Sequence, residues 1–156
     1  MITLLLMRHA KSDWSAAGLT DHDRPLNARG ERDAPTMAKR LADAGVRPEI
    51  ILTSTAVRAR MTAEAQSTAL GCELTLVPTL YGASASTLMS HAARSGARTV
   101  MIVAHDPGMT DLTGDLSEGG ISHMPTAAIA TFTWQTDDWN TAITVQPDSW
   151  SLDTPR

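Results

Sequence analysis

The chain has 156 residues, 42% of them hydrophobic and 19% charged, with a formal net charge of -4. That length and apolar content suit one domain with one substantial core, and the negative balance excludes a general attraction to nucleic acid or anionic membrane, so any anion site must be local. The lone cysteine, Cys72, excludes an intrachain disulfide and a cysteine-based metal centre, which fits a reducing cytoplasm.

Residues 2 to 7, ITLLLM, form a continuous apolar run of strand length, the signature of a strand buried on both faces. The run is too short for a signal peptide, and no later segment approaches the length of a membrane span, so a soluble, cytoplasmic protein is expected. With no turn residue between, the run passes straight into Arg8 and His9. After the polar loop SAAGLTDHDRPLN, Asn27 is placed to cap a helix through ARGERDAPTMAKRLADAG, ending at Gly45, with Pro35 expected to kink or restart it. EIILT (49 to 53) is a second strand, and Ser54 or Thr55 is placed to cap a second helix ending near Gly71. ELTLV (73 to 77) reads as a third strand, SASTLMSHAARSG (84 to 96) as a third helix and RTVMIVA (98 to 104) as a fourth strand. GMTDLTGDL (108 to 116) suits a short helix. TAAIATFTW (126 to 134) and AITV (142 to 145) read as two more strands, antiparallel across the TDDWN turn, and 147 to 156 reads as a loose tail beyond a core of about 2 to 146.

Four strand-helix alternations predict an α/β fold of three layers, a mostly parallel sheet with helices on both faces and the last strands antiparallel. In such sheets ligands bind just beyond the carboxyl ends of the strands. The residues there are Arg8 and His9 after the first strand, Ser54, Thr55 and Arg58 after the second, and His105, Asp106 and Pro107 after the fourth. Taken singly, each has an ordinary reading: a solvated loop pair, a surface arginine on a helix, a strand-end histidine. Arg58 near the positive end of a helix is mildly unfavourable unless an anion neutralises it. Two arginines and two histidines at neighbouring strand ends make a pocket for a phosphoryl group, since guanidinium forks match its oxygens and a neutral imidazole is a nucleophile toward phosphorus. His9 is the imidazole placed most rigidly. The other histidines, His22, His91 and His123, lack paired ligand spacing, so no metal and no cofactor is expected.

MRHAKS (7 to 12), LTSTAVRARMTAE (52 to 64) and AHDPGM (104 to 109) together resemble the histidine phosphatase superfamily. DRPLNARGERDAP (23 to 35) and LYGASASTLM (80 to 89) are similar to its small SixA-like phosphohistidine phosphatases, and the likeness runs from about residue 2 to 134. The resemblance implies a phosphoglycerate mutase-like fold and a metal-independent hydrolase in which His9 takes up the phosphoryl group while Arg8, Arg58 and His105 hold its oxygens. Ser12, Arg24 and Ser54 are further candidate contacts, each equally readable as a loop or cap residue.

One position departs from the family pattern. SixA-like relatives often read Tyr-Glu-Ala where this chain has Tyr81-Gly82-Ala83, so the carboxylate proton donor is missing and Asp21, Asp23 and Asp106 are the substitutes to consider. An imidazole leaving group depends less on a general acid than an alkoxide does. The expected substrate is therefore phosphohistidine on a phosphotransfer or phosphocarrier protein, or another activated phosphate, reached through an open site. Two alternatives stand beside it: a phosphomonoesterase acting on a small phosphorylated metabolite, and a phosphate-binding regulatory module without turnover. Trp14, in the loop after His9, reads as a packing residue or a substrate contact.

Overall fold

A computed structural model describes residues 1–156. Its centre is a six-stranded sheet in the order β3-β2-β4-β1-β5-β6, made of β1 (Ile2–Arg8), β2 (Ile50–Thr53), β3 (Glu73–Leu76), β4 (Thr99–Ala104), β5 (Ile129–Trp134) and β6 (Ser149–Asp153). The first four strands are mutually parallel, and β5 and β6 are antiparallel to their neighbours.

Side-chain alternation along the two central strands explains the three layers. Ile2, Leu4 and Leu6 of β1 and Val100 and Ile102 of β4 enter one core, while Leu5, Met7, Met101 and Val103 enter the other. The first core is closed by α3 (Ala85–Ala93) and α4 (Gly108–Leu116) through Leu88, Ala92, Met109 and Leu112. The second is closed by α1 (Ala28–Asp43) and α2 (Val57–Leu70) through Ala34, Met37, Ala59 and Ala63. No helix is long and apolar enough to cross a membrane.

Four local expectations need correction. Pro35 neither kinks nor restarts α1, which runs unbroken from Ala28 to Asp43 with Asn27 capping Gly30 N–H at 2.9 Å. Pro35 sits on the exposed side, where the carbonyl left without its partner meets water. Neither Ser54 nor Thr55 is the N-cap of α2; that position is Ala56, which makes no side-chain cap bond. Residues 142 to 145 are not a strand, because Asp138 caps a short helix, α5 (Trp139–Ala142), by accepting from Asn140 N–H at 3.0 Å. The antiparallel partner of β5 comes instead from the segment read as a loose tail, where Trp150 pairs with Phe132 in register and Arg40 grips Asp153 at 3.0 Å. An edge strand paired on one side has no continuous apolar run to announce it, and every residue of β6 is exposed.

Candidate active site

The site forms where β1, β4 and β2 end side by side. Arg8 pairs with Ala104 in the β1–β4 register, so the next residues, His9 and His105, fall abreast and their rings stand 5.2 Å apart. By strand alternation both imidazoles share the α1–α2 side of the sheet, while Arg8 has the opposite parity. The Arg8 guanidinium accordingly donates to Met124 O at 2.9 Å on the far side, and Arg58, the second residue of α2, approaches from the near side. A phosphoryl-sized group between them meets one guanidinium from each face of the sheet.

Three loops are stitched to this platform. Ala10 N–H donates to Thr62 Oγ1 of α2 at 3.0 Å, fixing the chain just past His9. At Gly30 a Cβ would lie 2.2 Å from Lys11 O, so α1 can start this close to the site loop only with glycine there. At Gly108 a Cβ would lie 2.1 Å from Ala83 O, which sets the same condition where α4 begins.

The result is a polar cavity of about 290 Å³ lined by Arg8, His9, Lys11, Ser12, Trp14, Arg24, Arg58, His105, Asp106 and Thr126. His9 Nδ1 lies 2.7 Å from Ala10 O, and a carbonyl only accepts, so Nδ1 carries the proton and the Nε2 lone pair is free. Burial pushes the His9 pKa down to about 3, against its bond to Ala10 O, with His105, Arg58 and Arg8 lowering it further. His105 is lowered to about 4, first by burial and then by the Arg58 charge. Both imidazoles are neutral at pH 7. His105 Nε2 bonds Ser54 Oγ at 2.8 Å, while His105 Nδ1, Arg8 Nε and Arg58 Nε are buried and without partners. Each unsatisfied buried polar group costs about 1–3 kcal/mol.

Asp21 sets the second layer of geometry. Its carboxylate accepts from Tyr81 Oη at 2.6 Å, from Arg58 at 3.0 Å and from Arg24 at 3.2 and 3.1 Å, while its backbone carbonyl accepts from Arg58 at 2.6 Å. The Tyr81 hydroxyl first, then Arg58 and Arg24, hold the Asp21 carboxyl far below the usual carboxylate range. Asp21 is thus the anion that Arg58 needs at the positive end of α2, and an ionised group in this setting is no proton donor.

The remaining sequence candidates separate cleanly. Arg24 lines the cavity, stacked 3.4 Å over the Trp14 ring and donating to Ser12 Oγ at 2.7 Å. Ser54 lies behind His105, also accepting from Ala56 N–H at 3.2 Å, and does not line the cavity. Asp23 points away beside His22, 57% exposed, whereas Asp106 lines the wall. Gly82 has φ of 71°, in the left-handed region that a glutamate would occupy only under strain. Trp14 is 72% exposed, so it does not pack into the core. Lys11, Tyr81 and Thr126 escaped sequence reading; the first stands two residues past His9, but no pattern marked the others. No group of three or more His, Cys, Asp or Glu side chains is placed to hold a metal ion.

Residues 4–85 match the family model of the histidine phosphatase superfamily (branch 1). A crystal structure from Agrobacterium tumefaciens, provisionally designated phosphohistidine phosphatase SixA, is 33% identical, covers 86% of this chain and 92% of its own, and superposes with a TM-score of 0.79. An uncharacterised chloroplast protein of Arabidopsis thaliana is 29% identical over 96% of this chain and 75% of its own length. An uncharacterised Mycobacterium tuberculosis protein is 37% identical over 65% of this chain and 63% of its own length.

Proposed function

The chain belongs to the histidine phosphatase superfamily, on its SixA-like branch, and from that premise we propose that it is a phosphatase that hydrolyses phosphohistidine on a protein surface. The observation that carries the reading is the convergence of Arg8, Arg58 and His105 on the one cavity that also holds the free His9 Nε2 lone pair. Guanidinium groups fixed at the cavity wall are preorganised for an oxyanion, and they act without reorganisation when charge builds on phosphorus.

His9 Nε2 attacks the phosphorus in line with the leaving imidazole, forming a P–N bond as the substrate's P–N bond breaks. With its other ring nitrogen protonated, the departing ring keeps the electron pair and leaves as a neutral imidazole, so this step needs no general acid from the enzyme. Arg8 and Arg58 hold the equatorial oxygens from opposite faces of the sheet, and His105 donates from the side. Water then cleaves the phosphorylated His9. The burial that lowers the His9 pKa serves this chemistry, because a neutral nucleophile is present across the physiological range. The exposed Trp14 ring lines the cavity, which suits a side chain presented by another protein.

Rapid quenching after mixing with a labelled phosphohistidine phosphotransfer domain tests the reading. An acid-labile, base-stable phosphoenzyme is expected in the wild type and absent from His9→Ala, with kcat/KM for phosphohistidine about 10²-fold or more above that for simple sugar phosphates. Comparable turnover of both substrate classes overturns the choice of substrate. Phosphate binding without phosphoenzyme or turnover overturns the enzyme.

A further inference from the structure

Asp106 is the one carboxylate that lines the cavity. Its two oxygens have different surroundings. Oδ1 accepts from Thr110 N–H at 2.9 Å and from the Thr110 hydroxyl at 2.8 Å, which fixes the side chain at the start of α4. Oδ2 has only the Arg8 guanidinium, at 3.5 Å, and the side chain retains 22% exposure, which is its opening to the cavity. A residue present only to hold Thr110 at the start of α4 has no need of that second oxygen beside the phosphoryl-gripping arginine.

We propose that Asp106 is a catalytic residue for the second half of the reaction, the base that takes a proton from the water attacking phosphorylated His9. The inference rests on the phosphatase reading above. Oδ2 faces the Arg8 guanidinium across the cavity wall with no other partner, which places it as an acceptor of protons rather than the donor considered for it from the sequence. The balance of the step agrees. Phosphorylated at Nε2 and still protonated at Nδ1, the His9 ring is an imidazolium, and it recovers the P–N electron pair as a neutral imidazole when water attacks. The only proton that has to move is the one on the incoming water. Asp106 Oδ2 accepts it as the P–O bond forms, and inorganic phosphate leaves. Formation of the phosphoenzyme involves no water and makes no demand on Asp106. The missing glutamate at position 82 is then no deficiency, because a phosphohistidine phosphatase needs a base for its water more than an acid for its leaving group.

The test is a single-turnover comparison of the wild type and Asp106→Asn with phosphoramidate as donor. Asparagine caps helices as well as aspartate does, so a purely structural role survives this change while a base does not. Phosphoenzyme formation within about threefold of wild type is expected, with decay slowed by about 10²-fold or more, so that the variant accumulates phosphorylated His9. Orthovanadate should bind the variant as tightly as the wild type or more tightly, since one negative charge leaves an anion pocket. Asp106→Ser, also a capping residue, should split the two steps in the same way. Decay at the wild-type rate in both variants overturns this inference alone, as does a parallel slowing of both steps with weakened vanadate binding. Absence of any phosphoenzyme or phosphate release in every protein overturns the phosphatase reading, and this inference with it.

Discussion

Two polar cavities open near the carboxyl edge of the sheet, and the larger is the less interesting. A cavity of about 660 Å³ between α3 and α4 is lined by serines and by Asp111 and Asp115, with no cation and no imidazole. Two of its hydroxyls are engaged in structure: Ser84 Oγ caps α3 by accepting from Thr87 N–H at 3.3 Å, and Thr110 Oγ1 bonds Asp106 and Met124 N–H. The 290 Å³ cavity brings Arg8, Arg24, Arg58, Lys11 and two neutral imidazoles to its wall. Volume measures room. The charges on the wall measure what the room is for, because converging cations repel one another until an anion sits between them.

Removing a donor should abolish that distinction at the greatest expense of activity. Arg58→Ala is expected to lower kcat/KM for phosphoramidate by about 10²–10³-fold, measured by steady-state phosphate release. Arg58→Lys should recover little of it, because a single ammonium cannot reach both the Asp21 carboxylate and its backbone carbonyl as the fork does.

Acid should expose the same contrast through stability. His9 and His105 are held neutral down to about 3 and about 4, below the ordinary 6.5. Between those values and 6.5 the unfolded chain takes up protons that the folded chain refuses. Stability is therefore complete above pH 6.5 and falls as pH drops toward 4, by about 1.4 kcal/mol per pH unit for each histidine. Urea melts of the wild type at pH 7, 5.5 and 4.5, beside those of His105→Asn, check the sign and the share that each imidazole contributes. The smallest effect belongs to the larger cavity: Asp115→Asn should change kcat/KM by less than about twofold and stability by less than about 0.5 kcal/mol.

What could be read from the chain follows from which forces are local. The strand ITLLLM announces itself because a strand buried on both faces must be apolar throughout, and the residues after β1, β2 and β4 follow from topology once parallel strands are inferred. The site quartet was legible for that reason alone. The structure places all four residues around one cavity and shows their parity: the imidazoles on one side of the sheet, Arg8 on the other. Asp21 was legible only as one of three aspartates that could stand in for the missing proton donor. Its carboxylate meets Arg24 from its own loop, Arg58 from α2 and Tyr81 from the loop after β3, and no spacing in the sequence encodes a meeting of three segments. Ser54 was read as a cap or a substrate contact from its place before a helix, but its hydroxyl lies behind His105 and bonds that ring as well as Ala56 N–H.

The sequence by itself determined the layered α/β fold, the rigid seat of His9 and the family, because apolar periodicity and short motifs act over a few residues. Only the tertiary structure decided that the tail completes the sheet as β6, that Asp21 is held as an anion by two arginines and a tyrosine, and that Asp106 alone among the carboxylates faces the site. Each of those depends on which distant backbones come within hydrogen-bonding distance, and packing of the whole chain sets that distance.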